Sequence, residues 1–120
     1  MESVLLDLDS IAELEDLLGQ VAVGSLLKRF IIEVDEMFEL VTQSNISSCS
    51  LQDVMEEIHR VSGSAALLGI AQMHVRLSYL EKLGREADIR IILKKLGDLE
   101  EVWVSSKARM VALGLLTGVP

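Results

Sequence analysis

Apolar residues return along this chain at alternating steps of three and four, the spacing that lines one face of an α-helix. The pattern is most regular near the C-terminus. There Ile89, Ile92, Leu96, Leu99, Trp103, Ser106, Met110 and Leu113 follow one another at steps of 3, 4, 3, 4, 3, 4 and 3. That is the seam of a helix in a near-parallel bundle, and it predicts a helix over 88–114. Val23, Leu27, Phe30, Ile31, Val34, Phe38 and Val41 predict another over 21–42. Leu51, Val54, Ile58, Val61, Ala65 and Leu68 line a third, opened by Ser50 with Asp53 three residues on and closed by Gly69. Met73, Leu77, Leu80 and Leu83 mark a fourth over 71–83, which stops at Gly84. A short helix over 10–18 precedes them all, with the capping box Ser10-x-x-Glu13 at its start and Gly19 at its end. Residues 44–50 are rich in serine and read as the clearest loop.

Short connections make successive helices antiparallel. The expected fold is therefore all-α: an antiparallel up-down four-helix bundle with a short additional N-terminal helix, and residues 1–120 form a single domain. Proline occurs once, at Pro120, so nothing interrupts long helices. Half the residues are apolar and only 3% aromatic, so Leu, Ile, Val and Met must build the core.

The net charge of −8 argues against nucleic acid and against anionic membrane surfaces. No apolar run reaches the roughly 20 residues that span a bilayer, so no membrane insertion is expected. Glu2, Asp7 and Asp9 stand where a secretory signal carries basic residues, and Cys49 is the only cysteine. Together these predict a cytoplasmic domain, and a closed bundle that buries its own seams is expected to be a monomer.

The chemistry concentrates around His59. It follows the seam residue Ile58, and about 100° of rotation carries its ring from the buried stripe toward solvent. Met55, Ser62 and Gly63 lie one turn away, with Ala66 further on. A glycine inside a helix costs about 1 kcal/mol against alanine. Gly63, four residues after His59, removes a side chain where a partner would approach. A neutral imidazole is a nucleophile at neutral pH. No serine, aspartate or second histidine on this helix is spaced to build a triad with it, so the chain is not expected to be an enzyme in its own right.

The stretch His59-Arg60-Val61-Ser62-Gly63-Ser64-Ala65-Ala66-Leu67-Leu68-Gly69 resembles the signature of histidine phosphotransfer (HPt) domains of two-component phosphorelays. That signature is a histidine followed by Lys-Gly-Ser/Ala and a later glycine. His59, Gly63, Ser64 and Gly69 match it. The N-terminal Leu-Asp-Ser-Ile-Ala-Glu-Leu segment, the helix carrying Phe30 and the Leu80-Glu81 pair also resemble the family. The chain departs from the pattern at Ser62, where the family carries lysine, and Arg60, Lys28, Arg29 and Arg76 are the candidate replacements for that cation.

The resemblance implies that His59 accepts a phosphoryl group from a receiver-domain phospho-aspartate and passes it to another response regulator. The implied partners are receiver domains and a hybrid sensor histidine kinase. No cofactor is expected on this chain, because the Mg²⁺ belongs to the receiver. Arg60, Ser62, Gly63 and Ser64 are then expected beside the phosphoryl group, with Met55 and Ala66 in partner docking. The alternative is a degenerate relative that binds a receiver or kinase without transfer, supported by the missing lysine.

A metal-binding bundle is a different class of reading. Glu56-x-x-His59 has the spacing of a ferritin-like iron ligand pair, but His74, the second histidine, has Ala71 where a partner glutamate would stand. No metal site is expected. His74 itself follows the seam residue Met73 and is expected at the solvated surface, as are the acidic groups around Glu13 and Glu33.

Overall fold

The computed structural model describes residues 4–43, 51–86 and 88–116. These fold into six helical segments: α1 Leu8–Leu18, α2 Gln20–Gln43, α3 Leu51–Leu68, α4 Ala71–Leu83, α5 Ile89–Asp98 and α6 Glu100–Ala112. No strand occurs among the described residues. The loop predicted over 44–50, with Cys49 and the Ser50 cap, lies outside them, as does the side chain of Val41.

The seams read from the spacing point inward except at Leu113, which lies past the end of α6 and is 38% exposed. Val23, Leu27, Phe30, Val34 and Phe38 of α2 are buried, joined by Met37. On α3 the buried residues are Val54, Ile58, Val61, Ala65 and Leu68, and on α4 they are Met73, Leu77 and Leu80. Ile92, Leu96, Leu99, Trp103, Ser106 and Met110 complete the core from α5 and α6. Phe30 meets Trp103 edge-on, with ring centroids 5.7 Å apart. The indole Nε1–H donates to Asp35 Oδ1 at 2.8 Å, which satisfies the one polar atom of that ring.

Two features differ from the sequence expectation. The helix predicted over 88–114 is divided at Leu99, whose N–H bonds to the Leu96 carbonyl at 3.1 Å, a tightened turn. Gly97 and Asp98, both poor helix formers, precede the break. The chain direction is kept, because Leu99 retains right-handed helical angles and its carbonyl accepts from Trp103 N–H at 3.0 Å. The cap of α1 is Asp7 instead of Ser10: its carboxylate accepts from the Ser10 N–H at 3.1 Å and the Ser10 hydroxyl at 2.8 Å. These bonds, the backbone one first, hold the Asp7 carboxyl below its ordinary value.

Gly19 ends α1 with a positive φ of 89°, and Gly69 ends α3 at 75°. At Gly69 the turn is also stapled. Asp7 N–H donates to the Gly69 carbonyl at 2.8 Å, and Gln72 N–H to the Leu5 carbonyl at 3.2 Å. The segment before α1 thus clamps the α3–α4 turn and holds those helices against each other. Helix α3 packs on α2 and α4, α4 packs on α5 and α6, and α5 packs back on α2. Among the described residues no helix is long and apolar enough to cross a membrane.

Candidate functional site

His59 stands near the middle of α3 with 80% of its side chain exposed, one step past the buried Ile58. Across the α3–α4 junction, Glu81 occupies the matching position one step past the buried Leu80. Their side chains meet, with His59 Nδ1 and Glu81 Oε2 2.7 Å apart. A carboxylate only accepts, so Nδ1 is the protonated nitrogen and donates to Glu81. In the neutral ring, Nε2 is then the nitrogen that carries the lone pair.

Glu81 is the residue that reasoning along one helix missed. The signal was present: two neighbouring helices each carry a polar residue immediately after a seam leucine or isoleucine, and such residues meet where the helices pack.

The pair opens onto a groove of about 620 Å³ lined by Gln52, Met55, Glu56, His59, Ser78, Glu81, Lys82, Gly84 and Arg85. Met55 is half-buried and lies over Gly84, where an added Cβ would stand 2.6 Å from its sulfur. Gly84 therefore makes room for the Met55 thioether at the groove floor. Lys82 and Arg85 form the cationic rim, and neither makes an ion pair among the described residues.

The other residues expected around His59 separate to different flanks. Ser62 is 2% exposed and faces α4. It lies about 60° round the helix from His59 toward the seam. Its hydroxyl stands 3.2 Å from Ser78 Oγ and 3.3 Å from His74 Nδ1. His74 Nδ1–H donates to the Ser62 carbonyl at 3.2 Å. Ser62 is thus a buried strut between α3 and α4, and its hydroxyl is turned from the exposed ring. His74 is half-buried within this cluster, a correction to the solvated placement expected for it.

Arg60 turns the other way, toward α2. It pairs with Glu57 one turn back and with Glu33 at 3.2 Å. The Glu57 hydrogen bond, followed by the charges of Glu57, Glu33 and Glu36, raises its pKa above the ordinary value. Arg29 also reaches Glu33, at 3.6 Å. Ser64 borders a separate hollow with Phe30, Glu33 and Leu67 on the α2 flank. Neither Arg60 nor Ser64 shares the His59 groove, which corrects their expected place beside the imidazole. Rotation explains both: one and five residues from His59 are about 100° and 140° round the helix.

Gly63 and Ala66 do stay with His59 on the outer face. Gly63 is exposed, and a Cβ built on it would meet nothing within 4 Å. Ala66 is exposed one turn further on, beside Leu67 at 69% exposure. Beyond His59 the surface is therefore low and smooth. Among the described residues no group of three or more His, Cys, Asp or Glu is placed to hold a metal ion.

Comparison of the chain with protein-family models, with curated proteins and with solved structures finds no match.

Proposed function

We propose that this chain is a histidine phosphotransfer domain and that His59 is its phosphorylated residue. The exposed imidazole, held through Nδ1 by Glu81 with Nε2 left open, is the observation that carries this reading. Helices α2, α3, α4 and the α5–α6 pair are read as an antiparallel up-down four-helix bundle with α1 as the short addition. The cycle of packing from α2 through α3, α4 and α5 back to α2 supports that architecture. The domain is read as a cytoplasmic monomer.

The step is a displacement at phosphorus. The Nε2 lone pair attacks the phosphoryl group of a receiver's aspartyl phosphate, and the P–O bond to the aspartyl carboxylate breaks with its electron pair leaving on oxygen. The imidazole keeps its Nδ1 proton and gains positive charge, which the Glu81 carboxylate stabilises at 2.7 Å. Holding the tautomer in advance means that no proton has to move before attack. The reverse displacement, by a second receiver's aspartate on the N–P bond, returns the imidazole to its starting state. The receiver supplies the reactive acyl phosphate and Mg²⁺. The smooth surface over Gly63 and Ala66 lets its active site close over the ring, with the half-buried Met55 at the edge of the contact.

The buried Ser62 in place of the family's lysine favours a second reading, a module that binds a receiver without transfer. One assay separates the two. On incubation with a phosphorylated receiver and Mg²⁺, the chain should acquire acid-labile, alkali-stable phosphate that His59→Gln abolishes. Complex formation without label supports the binding module and defeats the transfer reading.

A further inference from the structure

We infer that Lys82 and Arg85, at the α4 end of the His59 groove, form the oxyanion cradle for the phosphoryl group. This rests on the phosphotransfer reading and adds to it the groups that hold the transferred anion. The reaction places a doubly charged PO₃ unit beside Nε2, next to the negative Glu81 and Glu56. An uncompensated anion there is repelled at short range. Something cationic has to face it.

Elimination leaves few candidates, and Lys28, on α2, does not line the His59 groove. Ser62 stands at the motif's cation position but is buried and bonded to Ser78 and His74. Arg60 is held by Glu57 and Glu33 on the α2 flank, and Arg29 by Glu33. Arg76 borders a different groove, between α4 and α5, with Tyr79 and Lys95. Lys82 and Arg85 line the same groove as His59 and Glu81. Both are exposed, and neither is committed to a carboxylate among the described residues.

Their position also fits the sequence. Lys82 follows Glu81 directly, and Arg85 lies four residues after it, just past Gly84 where α4 ends. The helix that orients the nucleophile and the turn that follows it thus carry the cations as well. In the transfer, Nε2–P forms as the acyl P–O bond breaks, and the three peripheral oxygens stay anionic throughout. Lys82 offers a mobile point charge to them and Arg85 a planar pair of donors. No proton leaves either side chain.

The test uses the full chain and phosphoramidate, a small phosphoryl donor that needs no receiver. Labelling at His59 is followed in wild type, Lys82→Gln, Arg85→Gln and the double variant, with Arg60→Gln as control. The double variant should label about tenfold more slowly, each single variant should fall between, and the control should match wild type. A second readout is the phosphorus NMR titration of phospho-His59, in which losing the cations should raise the second pKa of the phosphoryl group. Wild-type rate and an unmoved titration in the double variant overturn the cradle, as does a wild type that takes no label from phosphoramidate. A chain that labels from phosphoramidate in a Lys82- and Arg85-dependent way, yet takes nothing from a phosphorylated receiver, keeps the cradle and defeats the relay.

Discussion

Glu81 Oε2 lies 2.7 Å from His59 Nδ1, a contact between residues 22 apart on the consecutive helices α3 and α4. On the phosphotransfer reading, that contact orients the imidazole: it favours the Nδ1–H tautomer and places negative charge where positive charge would develop.

Glu81→Ala should therefore slow phosphoryl uptake by about tenfold or more while leaving the fold intact, because both partners are accessible to water. Glu81→Gln should fall between, since its amide oxygen still accepts the Nδ1–H but carries no charge. Nitrogen NMR of His59 gives an independent check: the Nδ1–H form should dominate in wild type and give way to the Nε2–H form in Glu81→Ala. Unchanged tautomer populations would show that the contact does not orient the ring.

Ser62 makes an opposite kind of prediction. Its position suggests that Ser62→Lys would supply the cation that HPt domains carry there and accelerate transfer. The burial of Ser62 against Ser78 and His74 predicts otherwise. A lysine there is overpacked and partly desolvated, so thermal or denaturant unfolding should register a loss of about 2 kcal/mol or more. Transfer should gain nothing. Ser62→Ala should cost about 1 kcal/mol through the lost hydrogen bonds. A faster, fully stable Ser62→Lys would contradict the strut assignment.

The glycines separate clearance from backbone need. Gly63→Ala meets open space, so it should stabilise the helix by up to about 1 kcal/mol and leave phosphoramidate labelling unaltered. Gly63→Leu should keep helical content but slow transfer from a receiver, because it raises the surface the partner must cover. At Gly69 the sign reverses. Its φ is 75°, and a Cβ would sit 3.0 Å from the Asp7 carbonyl oxygen, so Gly69→Ala should destabilise. Equilibrium unfolding of the three variants checks the set.

The pH dependence of the first helix follows from Asp7. The hydrogen bonds from Ser10, the backbone one first, hold its folded carboxyl below the ordinary aspartate value. The ionised form is thus favoured by folding, so its contribution is present above the unfolded value and is lost as pH falls through the lower folded one. The stability gap between wild type and Asp7→Ala should hold constant near neutral pH and close only below about pH 4. A gap that closes at pH 6 to 7 would point to another group.

Much of the fold was legible in the spacing, because burial follows helical period wherever a seam is long. Val54, Ile58, Val61 and Ala65 fell inside as their steps demanded. The break at Leu99 was not legible: a seam continues through one tightened turn, so Gly97 and Asp98 gave only a weak sign of it. Around His59, one-helix geometry correctly predicted exposure and the open face at Gly63. It could not tell which flank each remaining neighbour would join. That choice is made between helices, by Glu81, Ser78 and His74 on one side and Glu33 on the other.

The most direct test follows one labelled phosphoryl group through two receivers. A receiver carrying labelled aspartyl phosphate is mixed with the chain and Mg²⁺, and a second, unlabelled receiver is then added. Label should leave the first receiver, rest on His59 as acid-labile phosphate and reach the second. Label that never enters the chain, or that reaches the second receiver equally well through His59→Gln, contradicts the relay.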